Sequence, residues 1–295
     1  MKIIAVYYIL LATLLFAIMN VLIKYLTHIP SYEIVFFRSV ISFVITLGIL
    51  MRLKIFPFGR GNRFWLIVRG LAGSAALLLF FYTLQHLPLA TAVTIQYLSP
   101  IFTILFASIL IKEPVHWKQW IFFLLAFAGV FVIKGFDPRV SLPLLGFGVL
   151  SAICAAFAYT AVRSVRDNEH ALVIIFYLPL STLPLITPYT IMHWTAPHGL
   201  DWLLLFAVGI LTQSAQYLMT RAYQIEKVGN VSPFTYTGII FAIIFGSLIF
   251  KETYSLQVIL GIALVLTGVL LNFAFVNGYI STKKLKIFVR NFPGF

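Results

Sequence analysis

Residues 101–113 read IFTILFASILIKE and residues 240–252 read IFAIIFGSLIFKE, identical at 7 of 13 positions. The two segments stand 139 positions apart. With no gap, the same shift pairs Leu11 with Leu150, Phe37 with Phe176, Ser42 with Ser181, Gly70 with Gly209, Tyr97 with Tyr236 and Gly129 with Gly268. Self-similarity at a fixed period means that one structural unit has been used twice. Here the unit is a set of membrane spans. If each copy holds an odd number of spans, the second must lie upside down relative to the first. Alternating-access carriers have that organisation, with the substrate between the halves.

The case for spans is compositional. A chain of 295 residues that is 61% hydrophobic and 10% charged, with a mean hydropathy of +1.02, has too much apolar surface for water. Apolar runs long enough to cross a bilayer fall at 4–26, 32–51, 64–84, 90–111, 118–135, 142–163, 171–192, 201–223, 229–250 and 255–276, spans 1 to 10 below. The first follows Met1 and Lys2 as a secretory leader does, but it continues to about Ile23 and more spans follow, so it reads as a retained helix. The expected fold is an all-α integral membrane protein of ten transmembrane helices, arranged as two inverted five-helix repeats. The boundaries are 1–137 and 138–276, followed by a basic tail at 277–295. The longest links, 52–63 and 135–142, are too short for a soluble domain.

The net charge of +13 could suggest nucleic acid, but Lys and Arg stand at the ends of apolar runs rather than along a face interleaved with aromatics. With the N-terminus in the cytoplasm, 15 of the 21 basic residues fall on the cytoplasmic side. Lys24, Lys134, Arg139 and Lys251 fall outside, and Arg38 and Arg69 lie within spans. Both termini are therefore expected in the cytoplasm. The basic stretch 283–290 either rests on anionic headgroups or serves as a plain topology anchor. This arrangement puts Glu113 at the inner end of span 4 and its repeat mate Glu252 at the outer end of span 9. Lys24 and Arg163 are also mates, as are Asn20 and Tyr159.

Polar side chains avoid lipid, so polar stripes on a span should face a cavity or another helix. In span 8, Gln213, Gln216, Thr220 and Tyr223 share one helical face. Their mates in span 3, Ser74, Leu77, Phe81 and Leu84, are far more apolar. Either the glutamines wall a cavity suited to an amphipathic organic solute, or they hydrogen-bond between helices. Span 4 carries Gln96, Tyr97, Ser99, Pro100 and Thr103, while span 9 carries Asn230, Ser232, Pro233, Thr235, Tyr236 and Thr237. Pro100 frees a carbonyl near Gln96, and freed carbonyls at membrane depth are tolerated where they line a cavity. A two-fold axis would bring Tyr97 and Tyr236 to equivalent places on opposite walls; interfacial anchoring is their other reading.

Asn20 and Lys24 could bind a carboxylate or phosphate, or Lys24 could snorkel. Arg38 has Glu33 five residues earlier as a conceivable partner, and Arg69 reads as snorkelling. The candidate substrate-binding set is Asn20, Gln96, Tyr97, Tyr159, Gln213, Gln216, Thr220, Thr235 and Tyr236. Arg38, Pro100, Glu113, Pro233 and Glu252 are candidates for gating or structure.

Some chemistry is missing. None of the eight acidic residues lies near the middle of a span, and all six histidines fall in links or at span ends. No intramembrane metal cluster or other cofactor is expected, and without clustered acids and histidines at one face no enzyme either. There is no phosphate-binding loop for ATP drive, and a single Cys154 excludes an intrachain disulfide. The partners expected are a small-molecule substrate, the lipid bilayer and a second copy in a homodimer, and no nucleic acid.

Residues 32–39 (YEIVFFRS), residues 82–100 (YTLQHLPLATAVTIQYLSP) and the two spans ending in Lys-Glu resemble the drug/metabolite transporter superfamily, EamA-like branch. The resemblance runs over about residues 4–276. It implies a central cavity lined by spans 1, 3, 4, 6, 8 and 9 in an inner-membrane carrier of bacterial type, often an exporter. In the second copy Tyr177 replaces the Arg of FFRS, so any role of Arg38 is not symmetric. The expected function is a secondary carrier of a small organic metabolite, with an amino acid or related zwitterion as the leading class. Carriage of a purine, a cofactor-type metabolite or a lipid-linked solute is the alternative in the same fold. A structural membrane subunit is the alternative without transport.

Overall fold

The computed structural model of the chain describes residues 3–59, 61, 63–110, 116–165, 168–226, 232–276 and 278. Glu113, Asn230 and the basic stretch 283–290 lie outside the described residues, as does the Tyr223 side chain. Among the described residues every regular element is helical, and ten helices are long and apolar enough to cross a membrane. They are span 1 Ile3–Tyr25, span 2 Ser31–Arg52, span 3 Arg63–His86, span 4 Leu89–Leu110, span 5 Gln119–Phe136, span 6 Leu142–Val165, span 7 Ala171–Met192, span 8 Asp201–Ile225, span 9 Pro233–Phe250 and span 10 Leu256–Val276. Span direction alternates. The end of the bundle where Ile3 lies is called proximal here, and the end where Tyr25 lies distal.

The antiparallel two-fold is written in the packing. A Cβ on Gly129 in span 5 would lie 2.5 Å from the Gly261 carbonyl in span 10, and one on Gly268 would lie 2.6 Å from the Phe122 carbonyl. Under the 139-residue shift Gly129 maps to Gly268 and Phe122 to Gly261, so the two contacts are images of each other. Close approach of this kind needs residues without side chains, the usual device for packing helices in lipid. Elsewhere Gly70 in span 3 meets Ser181 of span 7, and its mate Gly209 in span 8 meets Ile41 of span 2. Spans 3 and 6 pack along their length, as do their images, spans 8 and 1.

Polar pairs reinforce those interfaces. Ser74 Oγ lies 2.7 Å from Thr182 Oγ1, joining spans 3 and 7. Its mate Gln213 accepts from Ser42 Oγ at 2.6 Å and donates from Nε2 to Thr46 Oγ1 at 3.1 Å, joining spans 8 and 2. Each such bond contributes about 0.6 kcal/mol and at most about 1.7. The largest apolar cluster runs through both halves, from Met19 and Ile34 through Phe81 and Ile101 to Ile239 and Val265.

Among the described residues, spans 4 and 9 depart from regular α-helix at the same repeat position. Span 4 is a short helix Leu89–Gln96, a turn at Tyr97 and Leu98, and a second helix Ser99–Leu110. Pro100 sits in the first turn of that second helix, where a missing N–H costs nothing. In span 9 a 3₁₀ turn Ser232–Tyr236, with Pro233 near its start, gives way to an α-helix at Thr237. Tyr97 and Tyr236 are the two joints.

Candidate functional site

The two joints meet. The rings of Tyr97 and Tyr236 lie 5.0 Å apart at 59°, and the Tyr97 hydroxyl donates to the Thr235 carbonyl at 2.5 Å. The sequence suggests opposite walls; instead the mates touch. Spans 4 and 9 are neighbours at the pseudo-two-fold axis, and a tyrosine is long enough to cross it. Gly238 makes the space, because a Cβ there would lie 2.6 Å from the Tyr97 hydroxyl. Gln96, the residue before the joint, accepts from Ser151 Oγ of span 6 at 2.9 Å. That serine also lies 2.8 Å from the Ala76 carbonyl of span 3, so one hydroxyl ties three spans.

Distal to the joint the halves are locked. Lys251 adopts a left-handed conformation with φ of 53° and turns the chain back at the end of span 9. Glu252 then lies against Gly246, where any side chain would collide with Glu252 and with the Tyr254 hydroxyl. The Glu252 carboxylate takes the ammonium of Lys24 at 3.0 Å, the Leu89 N–H at 2.9 Å and the Tyr254 hydroxyl. Leu89 opens the first helix of span 4, so the carboxylate sits on a helix N-terminus, where negative charge is favoured. Lys24 also donates to the Leu87 carbonyl at 2.5 Å. Arg139 pairs with Asp137 at 2.9 Å and donates to the Thr253 carbonyl at 2.9 Å. Burial first, and then the bond to Glu252, pushes the Tyr254 phenol above its usual range. Further out, His28 pairs with Asp201 at 3.0 Å and Thr195 donates its N–H to Glu33 at 3.1 Å, both across the halves.

Proximal to the joint the arrangement differs. The first helix of span 4 packs on span 9, whereas the helix Ser99–Leu110 packs chiefly on span 6. Contacts between the halves here include the stacked rings of Phe106 in span 4 and Phe157 in span 6, 3.8 Å apart. Tyr177 in span 7 donates to the Phe58 carbonyl at 3.0 Å, and the Gly61 N–H donates to Glu169. Tyr159 of span 6 is 44% exposed, and Gln216 and Thr220 of span 8 are half-buried.

The sequence candidates therefore part company. Tyr97, Thr235, Tyr236 and Gln96 are brought together at the joint. Gln213 faces span 2 and uses both ends of its amide in that interface, while Gln216 has no such partner among the described residues. The Thr220 hydroxyl donates to the Gln216 carbonyl at 2.7 Å. Asn20 is buried with Oδ1 unpartnered among the described residues. Lys24 turns inward to Glu252 rather than out to the interface, and Glu33 serves Thr195 rather than Arg38. Arg38, 2% exposed, instead directs Nε at Thr212 Oγ1 at 3.3 Å, with its guanidinium over the Phe81 ring. Sequence reasoning passed over Ser151, Tyr254, Arg139 and Asp137. Only the polar character of the short link after span 9 could have pointed to Tyr254.

Comparison with known proteins agrees with this architecture. The model of the EamA-like transporter family matches residues 3–135 and again 143–274. The "Pseudopaline exporter CntI" of Pseudomonas aeruginosa is 32% identical over 88% of this chain and 92% of its own length. Human "Solute carrier family 35 member G1" is 30% identical over 83% of this chain and 72% of its own. The "S-adenosylmethionine uptake transporter" of Rickettsia prowazekii is 24% identical over 80% and 81%. A solved crystal structure aligns over 95% of this chain and all of its own with a TM-score of 0.65 at 19% identity, a likeness of fold alone.

Proposed function

The chain belongs to the EamA-like transporter family, and from that premise we propose that it is a secondary carrier of a small organic metabolite working by alternating access. The observation that carries the reading is the pair of spans interrupted at one repeat position, which meet at Tyr97 and Tyr236 beside the Glu252–Lys24 lock. Interrupted helices within a membrane expose backbone only where it lines a path or is buried in protein. Rocking one half against the other about the Tyr97–Tyr236 joint would release the distal lock. Asn20, Gln96, Tyr97, Tyr159, Gln216, Thr220, Thr235 and Tyr236 line the path in this reading. Pro100 and Pro233 shape the two breaks beside the joint. Gln213 holds span 8 to span 2.

The leading substrate class is an amino acid or related zwitterion. One relative is named for uptake of a methionine derivative and another for export of pseudopaline. Both termini in the cytoplasm would match the distribution of basic residues, and the reading extends to export or exchange across a bacterial-type inner membrane. The chain's residues suit carriage rather than catalysis, and a homodimer is compatible with it. Transport by the purified protein in proteoliposomes, tested against amino acids, their derivatives and nucleobases, decides the matter. Solute-specific counterflow that falls at least tenfold in Gln216→Leu is the expected result. Failure to move any solute of the panel overturns the carrier reading.

A further inference from the structure

Two arginines lie inside the bundle, and neither has a carboxylate for a partner among the described residues. Arg38 in span 2 is 2% exposed, and among the described residues its guanidinium makes one hydrogen bond, from Nε to the Thr212 hydroxyl at 3.3 Å. Thr212 is itself held, donating to Met19 Sδ at 2.7 Å, so the hydroxyl is a fixed rest for the guanidinium. Arg69 in span 3 has Nε buried without a hydrogen-bond partner. Its guanidinium folds along its own helix toward mid-depth, where the absence of a side chain at Gly73 leaves it room. Both guanidiniums rest along span 3, Arg38 over the Phe81 ring and Arg69 beside Gly73.

Charges in a low-dielectric interior are ordinarily paired. The pairs Lys24–Glu252 and Arg139–Asp137 at the distal end do not involve Arg38 or Arg69. Intramembrane charge of this kind marks a functional pathway by default. A planar guanidinium presents parallel donors that fit the two oxygens of a carboxylate. We infer that Arg38 and Arg69 form a carboxylate-binding site along span 3 in the interior of the bundle, and that the solute carried is an organic anion or a zwitterion held by its carboxylate. The inference rests on the carrier reading above and narrows its substrate class. It also gives Arg38 a ligand to hold, in a half whose repeat mate is Tyr177.

The test uses the full chain in detergent at fixed ionic strength, titrated with glutamate, succinate, inorganic phosphate, glutamine and dimethyl succinate while the thermal midpoint is followed. Glutamate or succinate is expected to raise the midpoint, and the amide and ester to leave it unmoved. In Arg38→Gln and in Arg69→Gln the half-saturating concentration should rise at least tenfold. Arg38→Lys, which keeps the charge and loses the planar fork, should fall between wild type and Arg38→Gln. Thr212→Ala, which removes the rest for Arg38 and the bond to Met19 while leaving both arginines in place, should bind several-fold more weakly with the fold retained by circular dichroism. A midpoint raised equally by neutral and anionic compounds, by phosphate alone or by none of the five overturns the proposal. So does a wild-type response in both glutamine variants. Counterflow in proteoliposomes separates the two readings. Transport of neutral solutes that ignores both arginines removes the site and leaves the carrier standing, whereas absence of all transport removes the carrier.

Discussion

The two ends of this bundle are built from the same repeated sequence and hold together differently. Distally, the first helix of span 4 lies on span 9, and Lys24, Glu252, Tyr254 and Leu89 join them through one carboxylate. Proximally, the second helix of span 4 lies on span 6 of the other half, with Phe106 stacked on Phe157, and described cross-half hydrogen bonds run between the span 2–3 link and span 7. An inverted repeat makes the two ends chemically interchangeable in outline, and the repeat mates of Lys24 and Glu252 are Arg163 and Glu113. One carboxylate collecting three donors is also a compact lock, because losing any one donor weakens the rest.

The largest effect should come from that carboxylate. The Lys24 and Glu252 side chains are 12% and 9% exposed, and removing one partner of a buried pair costs about 3–5 kcal/mol. Glu252→Gln should open the distal end, so that a cysteine at Thr91, in a Cys154→Ser background, reacts at least tenfold faster with a membrane-impermeant thiol reagent. An unchanged rate would mean that apolar packing alone closes that end. Gly246→Val drives a side chain into Glu252 and the Tyr254 hydroxyl. The same assay should show a gain only slightly smaller, with the fold retained by circular dichroism.

Tyr97→Phe sharpens the comparison at the joint between the ends. It removes the bond to the Thr235 carbonyl, worth about 1 kcal/mol. The rate of exchange should change by about fivefold while distal labelling stays near wild type. Gln213→Leu touches only the interface of spans 8 and 2, and should lower the thermal midpoint by the equivalent of about 0.6–1.7 kcal/mol without altering solute selectivity.

The smallest effect concerns pH. The Tyr254 phenol is raised, by burial first and by its bond to Glu252 second. A raised pKa means that the protonated form contributes its stabilisation fully below the unfolded value of about 10 and loses it only as pH climbs through the folded value. Distal labelling should therefore be insensitive to Tyr254 between about pH 6 and pH 9, and Tyr254→Phe should raise it only about twofold.

Much of this was legible in the chain. The 139-residue shift indicates two inverted copies, and Gly129 and Gly268 turn out to be paired contacts of the two-fold. Pro100 and Pro233 flag the disturbed helices of spans 4 and 9. The stripe of span 8 was legible only as a stripe. Helical periodicity puts Gln213 and Gln216 on one side, but three residues around a helix is enough to send one into span 2 and leave the other clear of it. Glu252 reads as an ordinary helix-end residue, because nothing local shows that Lys24, more than two hundred positions earlier, lies beside it.

Composition and repeat by themselves determined the solvent, the number of spans and their inversion, since hydropathy and parity act through counting and need no partner. Which carboxylate meets Lys24, which arginine lacks a carboxylate among the described residues and which mates touch were decided by the tertiary structure. Those depend on how far apart two helices stand after one of them breaks. A difference of a few ångströms separates an ion pair from a gap, and local sequence does not encode that separation.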